Sequence, residues 1–455
     1  MAAPTLAGMP LELLVHIIAT YLSTKDLGAL RLSSKYFETA LFNTFAKEFF
    51  TKKQFMLTTP SLEVLIAISK HAALSKFVKH VIIGIETYDH PTAHIPSAAA
   101  FWAYRHGWAD QTNLFNTGRD RLMLAQAFRN LPNLTTLGIR DYDATGRVRD
   151  DNNRWRSYGA PTAERETGIR FTRPSTEIAS RAYQVLLQAL ADAEKTIPAI
   201  EVILRMRTGL NDHAFFVPLD EKLNSALNGL QQLLLTLDLK SLDVPFLIVG
   251  PKHGPEKSHF LQSFLLRTPA LSHLRLNFQI HDKKGPSRVI EHLCTTNNIL
   301  PNLERLDFGM MTIDPGLLLQ ILTKFPILRH ISLWKITVGS IDSASHWRDS
   351  EGCFNPWPVI LRCLSGKNPQ VRGVMVGCLE VKDYSAPAYR TTANITFANN
   401  KASQEYLGDM SAWLTKAIDD LTVQWPAPPA DDSASASENE GEDEDMDDIH
   451  NEDND

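Results

Sequence analysis

The sequence predicts an α/β fold in which amphipathic helices alternate with short parallel strands behind a small N-terminal helical unit. Three observations carry that expectation. A unit of the form apolar-Pro-x-Leu-x-x-Leu-x-apolar recurs along the chain, each copy preceded by a helical pattern. The first fifty residues divide into three helices by their caps and apolar spacing. The last twenty-five residues are acidic and almost free of apolar groups, so they cannot offset the entropy of ordering.

Residues 9–50 form the helical unit. Pro10 suits a first helical turn, where its missing N–H costs nothing. That helix runs to about Leu22; Ser23 or Thr24 caps a second, with Asp26 in its first turn. A third begins near Ser33 or Ser34 and carries Phe37, Leu41, Phe42 and Phe45. The first helix is too apolar for a unit of this size. At 100° per residue, Leu11, Leu13, Leu14, Val15, Ile17, Ile18, Tyr21 and Leu22 cover an arc of roughly 200°, about twice what packing on one side requires. The excess must meet either a partner or the next domain.

The run Met9-Pro10-x-Glu12-Leu13-Leu14-x-x-Ile17, then Tyr21-Leu22-x-x-Lys25-Asp26-Leu27-x-x-Leu30-Arg31-Leu32-x-Ser34-Lys35, resembles the F-box, a three-helix motif. Met9 departs from the family's usual Leu, with similar volume. The resemblance covers about 42 of 455 residues. It implies docking onto the Skp-type adaptor of a cullin–RING (SCF-type) ubiquitin ligase, with Pro10, Leu11, Leu14, Ile18, Leu27 and Leu30 as contacts.

The recurring unit is clearest at Leu131–Ile139 and Leu300–Phe308, with further copies at Thr268–Leu276, Phe325–Leu333 and Asn368–Val376 and fainter ones from Val78, Ile200 and Leu234. Proline stops each helix because it cannot donate and clashes with the preceding turn. The alternating residues that follow make a strand with one buried face. A lone helix–strand pair cannot bury that face, so neighbours must stack. Helices are expected at 61–74, 119–130, 175–195, 219–230, 255–267, 287–296, 315–325 and 356–364. The pattern is similar to leucine-rich repeats, and an F-box followed by repeats is similar to receptors of the filamentous-fungal type. Successive copies step by 25 to 66 residues, against 20–29 in the family, so an irregular leucine-rich-repeat solenoid is implied. The expected organisation is a flexible start at 1–8, the F-box at 9–50, the repeat domain at 51–425 and a disordered acidic tail at 426–455.

Two insertions interrupt the repeats. Residues 140–174 hold eight arginines, six acidic residues, Trp155 and Tyr158. Arginines among aromatics suit nucleic acid or an acidic partner, but the near-balanced charge favours solvated surface, and nucleic acid is not the expected partner. Residues 88–110 carry Phe101, Trp102, Tyr104 and Trp108, which reads as a packed satellite cluster. His90 and His94 have helical i,i+4 spacing, but Pro91 lies between them, so they read as a loop pair.

The net charge of −6 hides a division. Residues 431–455 hold 13 acidic and no basic residues, leaving 46 basic against 39 acidic in the body, about +7. Cys294, Cys353, Cys363 and Cys378 lack disulfide or zinc spacing and read as buried thiols in a reducing compartment. No secretory signal or apolar run of membrane-spanning length is visible, so localisation is expected to be cytoplasmic and/or nuclear. No phosphate loop, dinucleotide fingerprint, nucleophile elbow or His-Glu-x-x-His pair occurs. The expectation is therefore a non-catalytic subunit with no cofactor, whose partners are the Skp-type adaptor, the cullin and an unidentified protein client. In a solenoid the residues between the apolar strand positions face the concave side. Arg275, Arg305, Arg329, Trp334 and Arg372 are the client-binding candidates there. The competing reading is a scaffold whose N-terminal helices cap the repeats.

Overall fold

The computed structural model describes residues 6–88, 95–144, 154–171, 175–216, 221–239, 260–279, 285–340, 347–348, 352–366, 370–385, 391–408 and 410–426. The acidic tail, His90, His94 and residues 145–153 of the larger insertion lie outside them.

Three helices open the chain: α1 (Leu11–Tyr21), α2 (Thr24–Ser33) and α3 (Lys35–Phe50). A proline opens the first, and serine hydroxyls partner the free first-turn amides of the other two. Pro10 accepts the first helical bond from Leu14 N at 3.0 Å. The Ser23 hydroxyl accepts from Asp26 N at 3.1 Å, and Ser34 caps α3 through Phe37 N at 3.3 Å. Leu14, Ile18, Leu27, Leu41 and Phe49 form a core of their own, separate from that of the rest of the chain. The Arg31 guanidinium lies 3.6 Å from the Phe45 ring centroid.

The remainder is mixed α/β, built on one mostly parallel sheet of 13 strands. Strands β1 (Lys52–Met56), β2 (His80–Gly84), β3 (Thr136–Arg140), β4 (Ala199–Ile203), β5 (Gln232–Leu237), β6 (His273–Phe278), β7 (Arg305–Ile313) and β8 (His330–Ser340) lie side by side in chain order. The sheet forks at β8. Its first half pairs with β9 (Gly373–Gly377) and its second with β10 (Glu380–Asp383), both parallel. Antiparallel strands finish each branch: β12 (Ser403–Leu407) on β9, and β11 (Thr392–Thr396) then β13 (Thr422–Gln424) on β10.

A parallel neighbour requires a crossover connection, and helices supply it. These are α4 (Thr59–Lys70), α5 (Ala98–Thr117), α6 (Arg119–Arg129), α7 (Ala160–Thr167), α8 (Thr176–Asp192), α9 (Glu221–Leu227), α10 (Phe260–Leu265), α11 (Gly285–Thr295), α12 (Pro315–Lys324) and α13 (Trp357–Gly366), while α14 (Met410–Asp419) leads from β12 to the antiparallel β13. Helix α12 shows how the sequence sets one unit. The Asp314 carboxylate accepts from Gly316 N at 2.8 Å and Leu317 N at 3.2 Å, and Pro315 fills the first turn. Leu318, Ile321 and Leu322 bury the inner face, each contributing ~1.5–3 kcal/mol. The helix ends at Lys324, just before Phe325-Pro326; an aspartate at Leu318 would break the packing.

After each turn the next strand starts in the same way. One carbonyl of the preceding strand's entrance accepts from two consecutive amides. Gln231 takes Ser272 and His273, Ser272 takes Glu304 and Arg305, Glu304 takes Arg329 and His330, and Arg329 takes Arg372 and Gly373. Thr51, Lys79 and Pro198 do the same nearer the N-terminus. The unit therefore repeats in space although its spacing in sequence does not.

Both insertions are more structured than their composition suggests. The first contains α5, with Tyr88 set edge-on against Tyr104 and Phe171 at 5.3 and 4.8 Å. The second reads from its charge as solvated surface, and its described part corrects that. Met56 N donates to Tyr158 O at 3.1 Å and Tyr158 N to Gln54 O at 2.8 Å, so residues 155–158 lie along β1. Trp155 packs on Phe49 at 5.6 Å, and Ser157 and Ala160 are fully buried. Covering β1 removes an open sheet edge, a common site of unwanted pairing. The four cysteines are half-buried, less enclosed than expected, and form no disulfide; burial pushes the Cys294 thiol up to about 11.

Candidate interaction surface

Strand β6 alternates strictly. In β6, Leu274, Leu276 and Phe278 are buried in the core, while His273, Arg275 and Asn277 occupy the opposite face. Register extends that face across the sheet in three rungs. One contains Gln232, His273, Arg305, His330 and Gly373; the next Glu201, Leu234, Arg275, Asp307, Ser332 and Met375; the third Thr236, Asn277, Gly309, Trp334 and Gly377.

At its N-terminal end this face is closed. His80 and Arg140 are buried beside Glu201, with contacts of 3.8 and 3.9 Å. Burial, with Lys52 and Arg140 nearby, lowers the His80 pKa to about 3, so the ring is neutral and its contact is not an ion pair. Gln54 donates to the Ser157 hydroxyl at 2.9 Å, and Ser157 in turn bonds Glu86, whose carboxyl is raised by burial. The Arg156 guanidinium pairs with Glu164 and stands 3.6 Å from Asp143. The arginines Arg140 and Arg156 are thus spent inside the fold. A cavity of about 270 Å³ remains beside the lid, lined by Phe49, Lys52, Gln54, Ile82 and Trp155 among others.

Further along, the same face is open. Asp307 is 3% exposed and accepts from three side chains. His273 Nε2 lies at 2.8 Å, Arg275 Nε at 3.4 Å and Arg305 Nε at 3.1 Å. Burial alone would raise this carboxyl, but the hydrogen bonds from His273 and Arg305 hold it below the ordinary range. Trp334 is 37% exposed, its ring lying over Gly377, where a Cβ would meet it at 2.2 Å. Immediately after it, Lys335 takes a left-handed backbone (φ 53°), as do Met310 (φ 56°) in β7 and Cys378 (φ 50°) between β9 and β10. Each adds one residue to its strand: Phe308 and Met311, Leu333 and Ile336, and Val376 and Leu379 are all core. These bulge-like left-handed kinks re-aim side chains and carry backbone strain; those of β7 and β8 stand level with each other, so the two strands stay in register.

The client-binding candidates therefore sit close together. Arg275, Arg305 and Trp334 are on the open face, and Arg329 and Arg372 flank it at the strand entrances, Arg329 lying 3.9 Å from Glu304. Sequence alternation places Asp307 and His273 on this face without revealing that Asp307 gathers the arginines; an acid amid an apolar run, Leu306-Asp307-Phe308, is the signal.

The adaptor-contact candidates divide. Leu14, Ile18 and Leu27 are in the three-helix core and are corrected to structural residues. Pro10 and Leu11 (46%) are exposed and Leu30 is half-buried. Leu13 (55%) and Tyr21 (75%) are exposed as well; both lie within the wide apolar arc, which did not separate core from exposed positions.

Among the described residues no cluster of three His, Cys, Asp or Glu is placed to hold a metal ion, and no helix is long and apolar enough to cross a membrane. Neither the protein-family models nor the curated proteins searched contain a match to this chain.

Proposed function

We propose that this chain is the client-recognition subunit of an SCF-type ubiquitin ligase, with α1–α3 acting as an F-box and the repeats as a leucine-rich-repeat-type receptor. The carrying observation is the uncovered side of α1. Its core is closed by Leu14 and Ile18, yet Leu11, Leu13 and Tyr21 remain in solvent, three large apolar side chains on one short helix that a partner protein would cover. The F-box-like run from Met9 to Lys35 and the recurring strand entrance support the same reading. Catalysis by such a subunit is proximity: the adaptor holds one end, the open face holds the client, and client lysines gain effective concentration near a ubiquitin-charged enzyme.

A scaffold whose N-terminal helices cap the sheet is favoured by the ring contacts of Phe42 on Phe77 and Phe49 on Trp155, and by Phe50, which packs against both cores. Capping accounts for α3 and leaves the exposed apolar side chains of α1 without a role. Co-purification with the Skp-type adaptor separates the two. Leu11→Asp together with Leu13→Asp abolishes adaptor recovery while the melting curve is kept, because both side chains are in solvent. Leu14→Asp instead unfolds the three-helix unit. Wild-type recovery of adaptor by the double variant, or no recovery by the wild type, removes the ligase reading.

A further inference from the structure

We infer that the Arg275–Arg305 pair is a socket for a single carboxylate side chain, with Trp334 as an apolar subsite beside it, so that the client presents an acidic-x-apolar segment in extended form. This rests on the open face being the client surface.

Asp307 binds both arginines by their Nε atoms. Among the described residues no acceptor is within reach of the Nη1 and Nη2 atoms of either one. Those are the atoms that grip an oxyanion in a two-point fashion. The side chains are about a third and just under half exposed, and a buried carboxylate fixes their stems. The usual entropic penalty of holding two arginines ready is thus met within the fold.

Charge selects the ligand. Two guanidinium groups against the one carboxylate of Asp307 leave one positive charge between them, which one carboxylate balances. A phosphate dianion would overshoot that pair, and Arg329 already faces Glu304.

Spacing selects the neighbour. Trp334 stands on β8, one strand across and two residues beyond the level of Asp307, about 8 Å from strand geometry. In an extended peptide, side chains two apart share a face at about 7 Å. A carboxylate in the socket therefore sets the side chain two positions away against the indole.

The test uses the full chain and three labelled peptide pools, x-x-Z-x-Leu-x-x, with Z as glutamate, serine or phosphoserine, read by fluorescence anisotropy. The glutamate pool binds at least about tenfold tighter than serine, the scale of a charge-assisted hydrogen bond, and phosphoserine binds no tighter than glutamate. Arg275→Gln and Arg305→Gln each flatten the glutamate–serine ratio. Trp334→Ala weakens every pool and leaves that ratio intact. Where a glutamine variant melts early, Arg305→Lys decides, since it keeps charge without the planar fork and lowers the ratio severalfold. Equal binding of glutamate and serine, no binding by any pool, or a tenfold preference for phosphoserine overturns the socket. The assay contains no adaptor, so a chain that binds the glutamate pool but fails to recover adaptor loses the ligase reading and keeps the socket.

Discussion

Strands β1–β4 and strands β6–β9 offer the same face of one sheet with opposite outcomes. Among the first four, residues 155–158 form a lid on β1 and the end of β2, where Trp155 packs on Phe49 and Ser157 is buried against Glu86; His80 and Arg140 are buried beside Glu201, and His80 stays neutral. Over the later strands no described segment pairs with that face, and a buried acid arranges arginines outward instead of neutralising them fully. The composition of the two halves is similar, since both hold histidine, arginine and acid. What differs is whether desolvation is complete. A charge taken from water must be paired or neutralised, which makes the closed half architecture; half-exposed guanidinium groups keep binding capacity, which makes the open half a surface.

Acid separates the halves most strongly. The folded His80 stays neutral down to about 3, while an unfolded imidazole takes a proton below about 6.5. Between those values the unfolded chain binds more protons, so stability falls as pH drops, at up to ~1.4 kcal/mol per pH unit. The carboxyl of Asp307 is depressed, so its contribution is fully present above about 3.9 and is lost only as pH falls through its lower folded value. Urea titrations from pH 7 to pH 4 should show this slope in the wild type and a shallower one in His80→Gln. An equal slope in both places the acid sensitivity elsewhere.

Two glycines sharpen the contrast. A Cβ at Gly84 would meet the Glu86 carboxyl and the Ser157 hydroxyl at 2.1 Å, under the lid. Gly84→Ala should cost about 1–3 kcal/mol, the range of an overpacked core. At Gly377 the obstacle is the Trp334 ring, which can swing into solvent. Gly377→Ala should cost less than about 1 kcal/mol and shift the tryptophan emission. Comparable losses of stability in the two variants would mean that the open half is as rigidly packed as the closed one.

The smallest effect is expected at the bulge. Lys335 is an exposed non-glycine residue at φ 53°. Glycine removes that strain and costs backbone entropy, so Lys335→Gly should raise stability by no more than about 1 kcal/mol. A loss measured by thermal melting would show that the lysine side chain holds the strand.

The parallel order of the sheet was legible because proline and alternation act locally. All eight expected strands form, from β2 at Val78 to β9 at Val371, and the expected helices form within a few residues of their limits where they are described. Strand β1 was not legible: Lys52-Lys53-Gln54 reads as polar, and besides β2 its only bridge among the described residues is to Tyr158, about a hundred positions away. Strands β10–β13 are short and depend on the fork at β8. Helix α5 was masked by the aromatic content of its insertion. On the open face, alternation sufficed to place Arg275, Arg305 and Trp334. It did not distinguish Arg140, on the same face, which is buried between Glu201 and Tyr142, because that enclosure is a tertiary event.

The measurement that tests the division most directly is client capture by proximity labelling with full-length chains. Trp334→Ala and Arg305→Gln should recover the Skp-type adaptor at wild-type level and lose client proteins. Trp155→Ala, which loosens the lid, should leave the client profile as it was. A client profile unchanged by the first two variants and altered by the third would place recognition on the 140–174 insertion and contradict the account.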